Sequence, residues 1–440
     1  MLEKLKFFLK ESVVYGVSGV LSRFATLITI PIYFRVLGPE SFGLLDLYIT
    51  IGAALFLLLE LQIGSGFMRD YYDFKKESKE RLLFGSVLSF YIVGYTFFVI
   101  FSLLVLSIFD AYLPAHIWHI FPIILALLPR QLVYIAGILL RLEHKAIQFL
   151  VLNLSHFFSV ALFGVYTVYQ LDGGVNDVLF ATFYAQMACA GLAIWLILKN
   201  IKVELGFSYT KPMLLYGVPI VPAVAGGWII DASGRIIIAD QLGEEILGYY
   251  AMLVKIGMVM ILGVQAFRMA WEPMMMKKMS DHGGEDFFAK SLPYYFIVSA
   301  LFIVFLLSIA PFLVWIIGGD LTNTAWLTLC LLLMGYAWQG GIGIVAAGNA
   351  YKRKTFLNSV GSITGGGLCI IATYVLISSM GMLAAGLGFL IGMMISFSIT
   401  YYFAQMTHKI DYDVKALATS YGVSVIVSSI SILLWAKKII

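Results

Sequence analysis

The sequence predicts an all-α polytopic membrane protein with about 13 transmembrane helices (range about 12–14), most of them in two six-helix lobes. Of its 440 residues, 61% are hydrophobic and only 12% are charged, and the mean hydropathy is +0.93. A typical soluble domain is about 45–50% apolar and about 25% charged. A one-sided distribution of basic loops and an internal repeat support the same architecture.

Each predicted helix is an apolar run of about 20 residues, the length needed to cross a bilayer. Turns rich in glycine and polar residues separate the runs. No loop between them is long enough for a soluble catalytic domain or an extracellular receptor domain. The predicted spans are 13–36, 42–66, 82–109, 117–140, 148–169, 178–198, 212–239, 246–271, 291–317, 324–348, 357–379, 381–405 and 416–436.

Basic residues collect on one side of these spans. Of the 29 Lys and Arg, 21 fall in the N-terminal tail and in the loops after even-numbered spans. The other side receives Arg35, Lys437 and Lys438, together with most of the loop acids. Cytoplasmic loops of membrane proteins are enriched in Lys and Arg. The distribution therefore predicts a multi-pass membrane protein with a cytoplasmic N-terminus.

The chain contains an internal repeat. Leu37 to Ile51 reads LGPESFGLLDLYITI, and Leu242 to Ile256 reads LGEEILGYYAMLVKI, which places L-G-x4-G at an offset of 205 residues. Six predicted spans separate the two copies, so both run in the same direction through the membrane. Parallel repeats of this kind are typical of transporters, which bind substrate near the bilayer midplane between their lobes. The predicted division is an N-terminal lobe at 1–200, a C-terminal lobe at 201–405 and an extra helix at 406–440.

The seventh span is expected to be broken. It carries Pro219, Pro222, Gly226 and Gly227 within one helix length. Proline and paired glycines kink or unwind helices, and interrupted helices often lie at transporter binding sites. Proline and glycine are, however, also common in ordinary membrane helices.

Seven charged residues inside the spans are the candidate site residues. Each charge costs about 2.5–3.5 kcal/mol at a helix centre, so we expect these side chains to face the protein interior or a water-filled cavity. The candidate substrate-binding cations are Arg23, Arg130, Arg235, Lys255 and Arg268. The candidate counter-ions or ion-coupling acids are Glu60 and Asp231.

Less specific roles remain open for several of them. Asp231 and Arg235 are four residues apart and could pair with each other. Arg268 could pair with Glu272, and both Arg268 and Lys255 could extend to the membrane surface. Arg23 and Arg130 have no acid nearby in sequence. The excess of cations predicts a positively charged central cavity for an anion such as phosphate or pyrophosphate, which guanidinium groups bind bidentately.

The sequence does not predict an enzyme. No nucleotide-binding G-x4-G-K-[ST] loop occurs, so ATP is not expected to drive the protein. The close pair His116 and His119 has no third ligand nearby, and the three cysteines lie in apolar segments. We therefore expect no cofactor, no metal and no nucleic-acid partner.

Two segments resemble the polysaccharide-biosynthesis or O-antigen (Wzx-type) flippases of the multidrug/oligosaccharidyl-lipid/polysaccharide (MOP) exporter superfamily. Residues 15–48, YGVSGVLSRFATLITIPIYFRVLGPESFGLLDLY, contain an Arg in the first helix followed by P-x-Y-x-R-x-L-G-P-E-x-F-G. Residues 216–256 resemble the start of the second lobe, Y-G-x-P-x-x-P. The family more often has Asp adjacent to Arg in span seven, and it usually has 12 or 14 spans (about 13 here).

The resemblance implies a MATE-like fold and alternating access. It also implies an undecaprenyl-pyrophosphate-linked oligosaccharide as substrate, and a polysaccharide polymerase as a partner. The substrate would cross the bacterial inner membrane, with an ion gradient or the membrane potential as the energy source. The alternatives are a flippase for the peptidoglycan lipid precursor and a MATE-type drug/cation antiporter, whose site would need acids rather than cations. A membrane-embedded glycan polymerase or acyltransferase is the further alternative, but a polymerase would carry a large outer loop.

Overall fold

The computed structural model describes residues 2–109, 118–265, 267–268, 271, 285–352, 354, 356–410 and 412. Within these ranges most side chains before residue 28, and a few others, are not described. The thirteenth predicted span, 416–436, and His116 lie outside the described residues.

The described residues form helices joined by short turns, with no strand among them. The longer helices are α1 (Leu2–Glu60), α2 (Ile63–Lys76), α3 (Glu80–Phe109), α4 (Ile120–Leu142), α5 (Ala146–Gln170), α6 (Val175–Asn200), α7 (Thr210–Gly217), α8 (Val221–Gln241), α9 (Glu244–Gly257), α10 (Glu285–Ile317), α11 (Asn323–Val345), α12 (Ala347–Tyr351), α13 (Leu357–Met380) and α14 (Met382–Thr407).

Eleven helical stretches within the described part of the chain are long and apolar enough to cross a membrane. This confirms the all-α polytopic fold. The expected number of about 13 is approximate, since the last span lies outside the described residues.

The first two predicted spans lie in α1, which is bent between them. Gly38 interrupts the helix with φ 78° and ψ 165°, and Pro39 follows it. A side chain is strongly disfavoured at this positive φ, whereas glycine adopts it readily. Proline is favourable at the first position of the new helical segment. It has no backbone N–H, and an N–H at that position would have no helical partner.

The second predicted span, 42–66, is wrong at its end. The helix ends at Glu60, because Leu61 and Gln62 have φ values of 44° and 57°. Helix α2 then begins at Ile63, and its residues Phe67 and Tyr71 are fully buried. The mean hydropathy of the run carries no signal for such a change of direction, since Leu61 and Ile63 continue the apolar run that precedes Glu60.

The predicted break in span seven is reduced to a 3-10 turn within one continuous helical stretch, Thr210–Gln241. Helix α7 ends at Gly217, a 3-10 turn covers Val218–Ile220, and α8 starts at Val221. Gly226 and Gly227 lie inside α8, so the expectation that they unwind the helix is wrong. Gly226 instead allows close packing, since a Cβ there would lie 2.5 Å from the carbonyl carbon of Ser362.

The chain divides into two compact units, Met1–Val221 and Pro222–Ile440. In the first unit, buried residues of α2, α3 and α4 form a core with the ends of α6 and α7. In the second unit, glycines allow α13 and α14 to pack closely. For example, a Cβ on Gly365 would collide with the Gly392 carbonyl oxygen. The boundary follows the 3-10 turn in span seven.

Candidate functional site

In the first unit, Arg130 is a cation placed among apolar helices. It lies on α4, is half-buried, and its guanidinium carbon is 4.7 Å from the centroid of the Phe56 ring on α1. The Phe56 ring also contacts Tyr134, one turn further along α4, with ring centroids 5.5 Å apart. A guanidinium over an aromatic face gains about 0.5–2 kcal/mol, more when it is desolvated. No acidic side chain pairs with Arg130 among the residues described.

Glu60 lies one turn beyond Phe56, but its carboxylate is directed to the backbone. Its exposed fraction is 1%. One oxygen accepts a hydrogen bond of 2.7 Å from the Gln62 N–H, and the other accepts one of 2.8 Å from the Gly64 N–H. These donors belong to the start of α2, where N–H groups have no helical partner. Glu60 therefore stabilises the break between α1 and α2 and complements the helix dipole.

Arg23 belongs to the same unit, and the structure describes its backbone only. Two flanking residues of α1 contact α5. The Asn153 side chain donates a 2.7 Å hydrogen bond to the Ser18 hydroxyl, and Tyr33 approaches Gly164 closely. The backbone of Arg23 therefore runs beside α5 between the levels of Asn153 and Gly164.

In the second unit, Asp231 and Arg235 pair with each other on α8, as their spacing allows. The Arg235 guanidinium donates to the Asp231 carboxylate at 3.2 Å and also to the Asp231 backbone carbonyl. The Arg235 side chain is 1% exposed, whereas that of Asp231 is 32% exposed. The Tyr336 hydroxyl lies 3.5 Å from the second carboxylate oxygen of Asp231. The pair is thus built into the packing of α8 against α11.

The remaining two cations differ in their surroundings. Lys255 is half-buried in the last turn of α9, and Arg268 is exposed. Glu272, the partner considered for Arg268, lies outside the described residues. The structure therefore brings together Arg130, Phe56 and Tyr134 in one unit, and Asp231 with Arg235 in the other.

A charged cluster joins α2 to the loop between α4 and α5. The Lys75 ammonium lies 2.6 Å from the Glu143 carboxylate, and the Tyr71 hydroxyl donates to the same oxygen. Burial alone would raise the pKa of Glu143, but the hydrogen bonds from Lys75 and Tyr71 outweigh it and lower this pKa below its usual value. The cluster borders a surface cavity of about 380 Å³ that Arg81 and Lys202 also line.

The sequence model of a family described as polysaccharide biosynthesis protein matches residues 8–279. The match covers more than half of the chain, and it includes both copies of the repeat. The chain belongs to this polysaccharide biosynthesis family. No curated protein has a significant sequence match to this chain.

Solved structures of transporters share the fold of this family member. One is described as lipid II flippase MurJ in an inward-closed conformation, with a TM-score of 0.71, 12% identity, and coverage of 97% of this chain and 98% of that one. Another is an inward-facing multidrug resistance MATE family transporter of the MOP superfamily, with a TM-score of 0.67, 14% identity, and coverage of 88% and 94%. These values establish a MATE- and MurJ-like fold for the polysaccharide biosynthesis protein.

Sequence reasoning overlooked several polar residues inside the helices. Asp46 in α1 is 2% exposed, although it lies within a predicted span. Gln131 is fully buried on α4 beside Arg130, and its amide has no partner among the described residues. His156, in the middle of α5, was also missed. A polar residue in an apolar run was the available signal for each of them.

Among the described residues, no group of three or more His, Cys, Asp or Glu side chains could hold a metal ion. Cys189, Cys330 and Cys369 are all buried free thiols.

Proposed function

We propose that this protein is a flippase that carries a lipid-(pyro)phosphate-linked oligosaccharide, such as an O-antigen repeat unit, across the bacterial inner membrane. Family membership supports a role in polysaccharide biosynthesis. The shared fold supports transport, because the solved relatives are described as a lipid II flippase and a multidrug transporter. The proposed orientation has the N-terminus in the cytoplasm, on the side that receives 21 of the 29 Lys and Arg.

The observation that carries this proposal is Arg130. An arginine in the middle of a membrane helix costs about 2.5–3.5 kcal/mol on insertion scales. The Phe56 ring offsets part of that cost, but it does not neutralise the charge. A phosphate or pyrophosphate group would do so, since guanidinium binds these oxygens bidentately.

The other intramembrane charges enter the proposal in different roles. Arg23, Lys255 and Arg268 are also proposed as substrate-binding residues. Arg235 shares its charge with Asp231 and would bind only if that pair opens. Glu60 and Asp231 are the proposed counter-ions or ion-coupling acids. Alternating access, driven by an ion gradient or the membrane potential, completes the mechanism, and a polymerase would use the exported units.

The test is made in the native host. Deletion of the gene is expected to remove the surface polysaccharide and to leave undecaprenyl-pyrophosphate-linked repeat units on the cytoplasmic leaflet, as quantified by mass spectrometry with a membrane-impermeant label. Unchanged lipid-linked sugars would overturn the proposal. Accumulation of the peptidoglycan precursor instead would identify the protein as a flippase for that lipid.

Arg141 provides a matched control for the role of Arg130. It lies eleven residues further along α4 and also over a phenylalanine ring, Phe149, at 5.6 Å, but it is exposed at the helix end. We expect Arg130→Gln, present at normal levels in the membrane, to restore about a tenth or less of the polysaccharide that the parent restores. Arg141→Gln is expected to complement fully. Full complementation by Arg130→Gln would remove the main support for an anionic substrate.

A further inference from the structure

His156 lies at about the same depth in the membrane as Arg130. Helices α4 and α5 form a hairpin through a short loop, with α4 ending at Leu142 and α5 beginning at Ala146. Arg130 is about 12 residues before that end, and His156 is about 10 residues after that beginning. At 1.5 Å per residue, both lie roughly 15–18 Å from the loop. The hydrocarbon core is about 30 Å thick, so both residues are close to its middle.

Arg130 and His156 lie on the facing sides of α4 and α5. Gly137 of α4 packs against Phe149 of α5, since a Cβ on Gly137 would lie 3.5 Å from the Phe149 ring. Arg130 and His156 each lie seven residues further from the loop, which is about two helical turns and returns to the same faces. The Nε2 atom of His156 is buried and has no hydrogen-bond partner among the described residues. The guanidinium of Arg130 is covered by the Phe56 ring and has no acidic partner in the same set. Buried polar groups in proteins are normally hydrogen-bonded, so an unpartnered imidazole nitrogen that faces an arginine without an acidic partner indicates a ligand.

The position of His156 on α5 is fixed by its neighbours. Asn153, three residues earlier and on a nearby part of the helix face, donates its hydrogen bond to Ser18 of α1. The Phe157 ring packs against the imidazole at a centroid distance of 5.2 Å. The hydrogen bond holds α5 against α1, and the ring contact within α5 limits the rotation of the histidine. A site held by such supporting contacts is already organised before the ligand arrives.

We infer that His156 and Arg130 together form a mid-membrane binding site for a phosphate group. This inference rests on the proposed function and deepens it, because it assigns a second residue to the recognition of the lipid-linked phosphate. The imidazole donates one hydrogen bond from Nε2 to a phosphate oxygen, and Arg130 supplies the positive charge and the bidentate contact. The site would therefore select a phosphorylated polyprenol over the free alcohol.

The experiment compares two lipid probes on the purified full-length protein in detergent. Undecaprenyl diphosphate carries the phosphate groups, and undecaprenol has the same chain without them. We expect His156→Leu to weaken binding of the diphosphate about tenfold and to leave binding of the alcohol within about twofold. His156→Gln is expected to retain most of the diphosphate affinity, since its amide nitrogen can donate from a similar position.

Phe158→Leu is the matched control on the same helix, since the Phe158 side chain is exposed on α5. It changes an apolar side chain two residues from His156 and removes no donor, so it is expected to affect the two probes equally. A merely structural role for His156 would also affect both probes equally and would give no rescue by glutamine. The inference would be overturned if His156→Leu weakened binding of both probes equally, or if His156→Gln gave no rescue. It would also be overturned if His156→Leu bound the diphosphate at the parent affinity.

A double-mutant cycle tests whether the two residues act as one site. If Arg130 and His156 contact the same phosphate, the double substitution His156→Leu/Arg130→Gln weakens diphosphate binding by less than the product of the two single fold-losses. Failure of this inference is distinguishable from failure of the proposed function. In the first case the parent binds the diphosphate and His156→Leu binds it equally well. In the second case the parent itself does not distinguish the diphosphate from undecaprenol.

Discussion

Gly38 and Gly243 are 205 residues apart and have almost the same backbone conformation. Their φ and ψ values are 78° and 165° at Gly38, and 89° and 173° at Gly243. Each lies directly before a new helical segment, which starts at Pro39 in one copy and at Glu244 in the other. The repeated L-G-x4-G motif thus encodes the same turn twice. The turn requires glycine for its conformation and not for space, since a Cβ would meet nothing within 4 Å at either position.

Alanine at either repeat glycine is therefore expected to destabilise the protein. Conformations in this region cost a residue with a side chain about 1–3 kcal/mol. Gly38→Ala and Gly243→Ala should each lower the apparent Tm in detergent, measured by the fluorescence of a thiol-reactive dye or by light scattering. Gly191→Ala is the control, because Gly191 lies in α6 with open space around it and an ordinary helical backbone. Equal Tm values for Gly243→Ala and Gly191→Ala would contradict the assigned role of the turn.

Two other glycines are required for space, where α7 packs against the break after Glu60. A Cβ on Gly66 would lie 2.6 Å from the Met213 carbonyl oxygen, and a Cβ on Gly217 would collide with the Gln62 carbonyl. Backbone atoms cannot rotate away as side chains do. We expect Gly66→Ala and Gly217→Ala to destabilise the protein by about 1–3 kcal/mol each through overpacking.

The measurement is again the apparent Tm in detergent, with Gly94→Ala of α3 as the control, since a Cβ there meets nothing within 4 Å. Because Gly66 and Gly217 form one contact region, the double substitution should cost less than the sum of the two single ones. Strict additivity would show that the two close approaches are independent.

Much of the fold could be predicted from the sequence, because apolar runs of membrane length and glycine-proline turns are local signals. The turn at Gly38-Pro39 and the 3-10 segment at Val218–Ile220 are of this kind. The end of α1 at Glu60 could not be predicted in this way. It depends on the carboxylate of Glu60 bonding to the N–H groups of Gln62 and Gly64, an interaction that hydropathy does not report.

The candidate site was less predictable than the fold. A charge inside an apolar run marks a residue as unusual, but it does not give its partner. Asp231 and Arg235 have a spacing that allows a pair, and they form one. Arg130 lies over Phe56 because α1 and α4 pack together, a contact between residues far apart in the sequence. His156 was overlooked because it can be uncharged, and so it does not appear in a search for intramembrane ions.

The Asp231–Arg235 pair predicts a strong effect of single substitutions. Asp231→Asn would leave the buried Arg235 without its bond to the Asp231 carboxylate. Loss of one partner of a fully buried pair costs about 3–5 kcal/mol, and we expect about 2 kcal/mol here because Asp231 is 32% exposed. Asp231→Asn/Arg235→Gln is expected to be more stable than Asp231→Asn alone. The apparent Tm is measured for the parent, the two single substitutions and the double substitution. Strictly additive effects would contradict the pairing.

Glu60 is expected to stabilise the protein through the hydrogen bonds that its carboxylate accepts from the N–H groups of Gln62 and Gly64. Glu60→Ala leaves both without the carboxylate, and an unsatisfied buried donor costs about 1–3 kcal/mol. Glu60→Gln retains one acceptor oxygen, so its apparent Tm should lie between those of Glu60→Ala and the parent. Glu204→Gln is the control, since Glu204 is an exposed acid whose carboxylate lies 3.4 Å from Arg81. A Glu60→Ala protein as stable as the parent would show that the break forms without the carboxylate.

The Lys75–Glu143 contact predicts a pH dependence with a defined sign. Bonds from Lys75 and Tyr71 lower the pKa of Glu143 below its usual value of 4.5, although burial opposes this shift. A carboxylate with a depressed pKa in the folded state stabilises the protein fully above its unfolded pKa, and this stabilisation is lost as the pH falls through the folded value. The parent should therefore lose apparent Tm more steeply than Glu143→Gln does as the pH falls below about 5. At pH 7 the substituted protein should be the less stable of the two, and the difference should shrink on acidification. Parallel curves for the two proteins would show that Glu143 has the same pKa in the folded and unfolded states, and the contact would then contribute nothing to the attachment of α2.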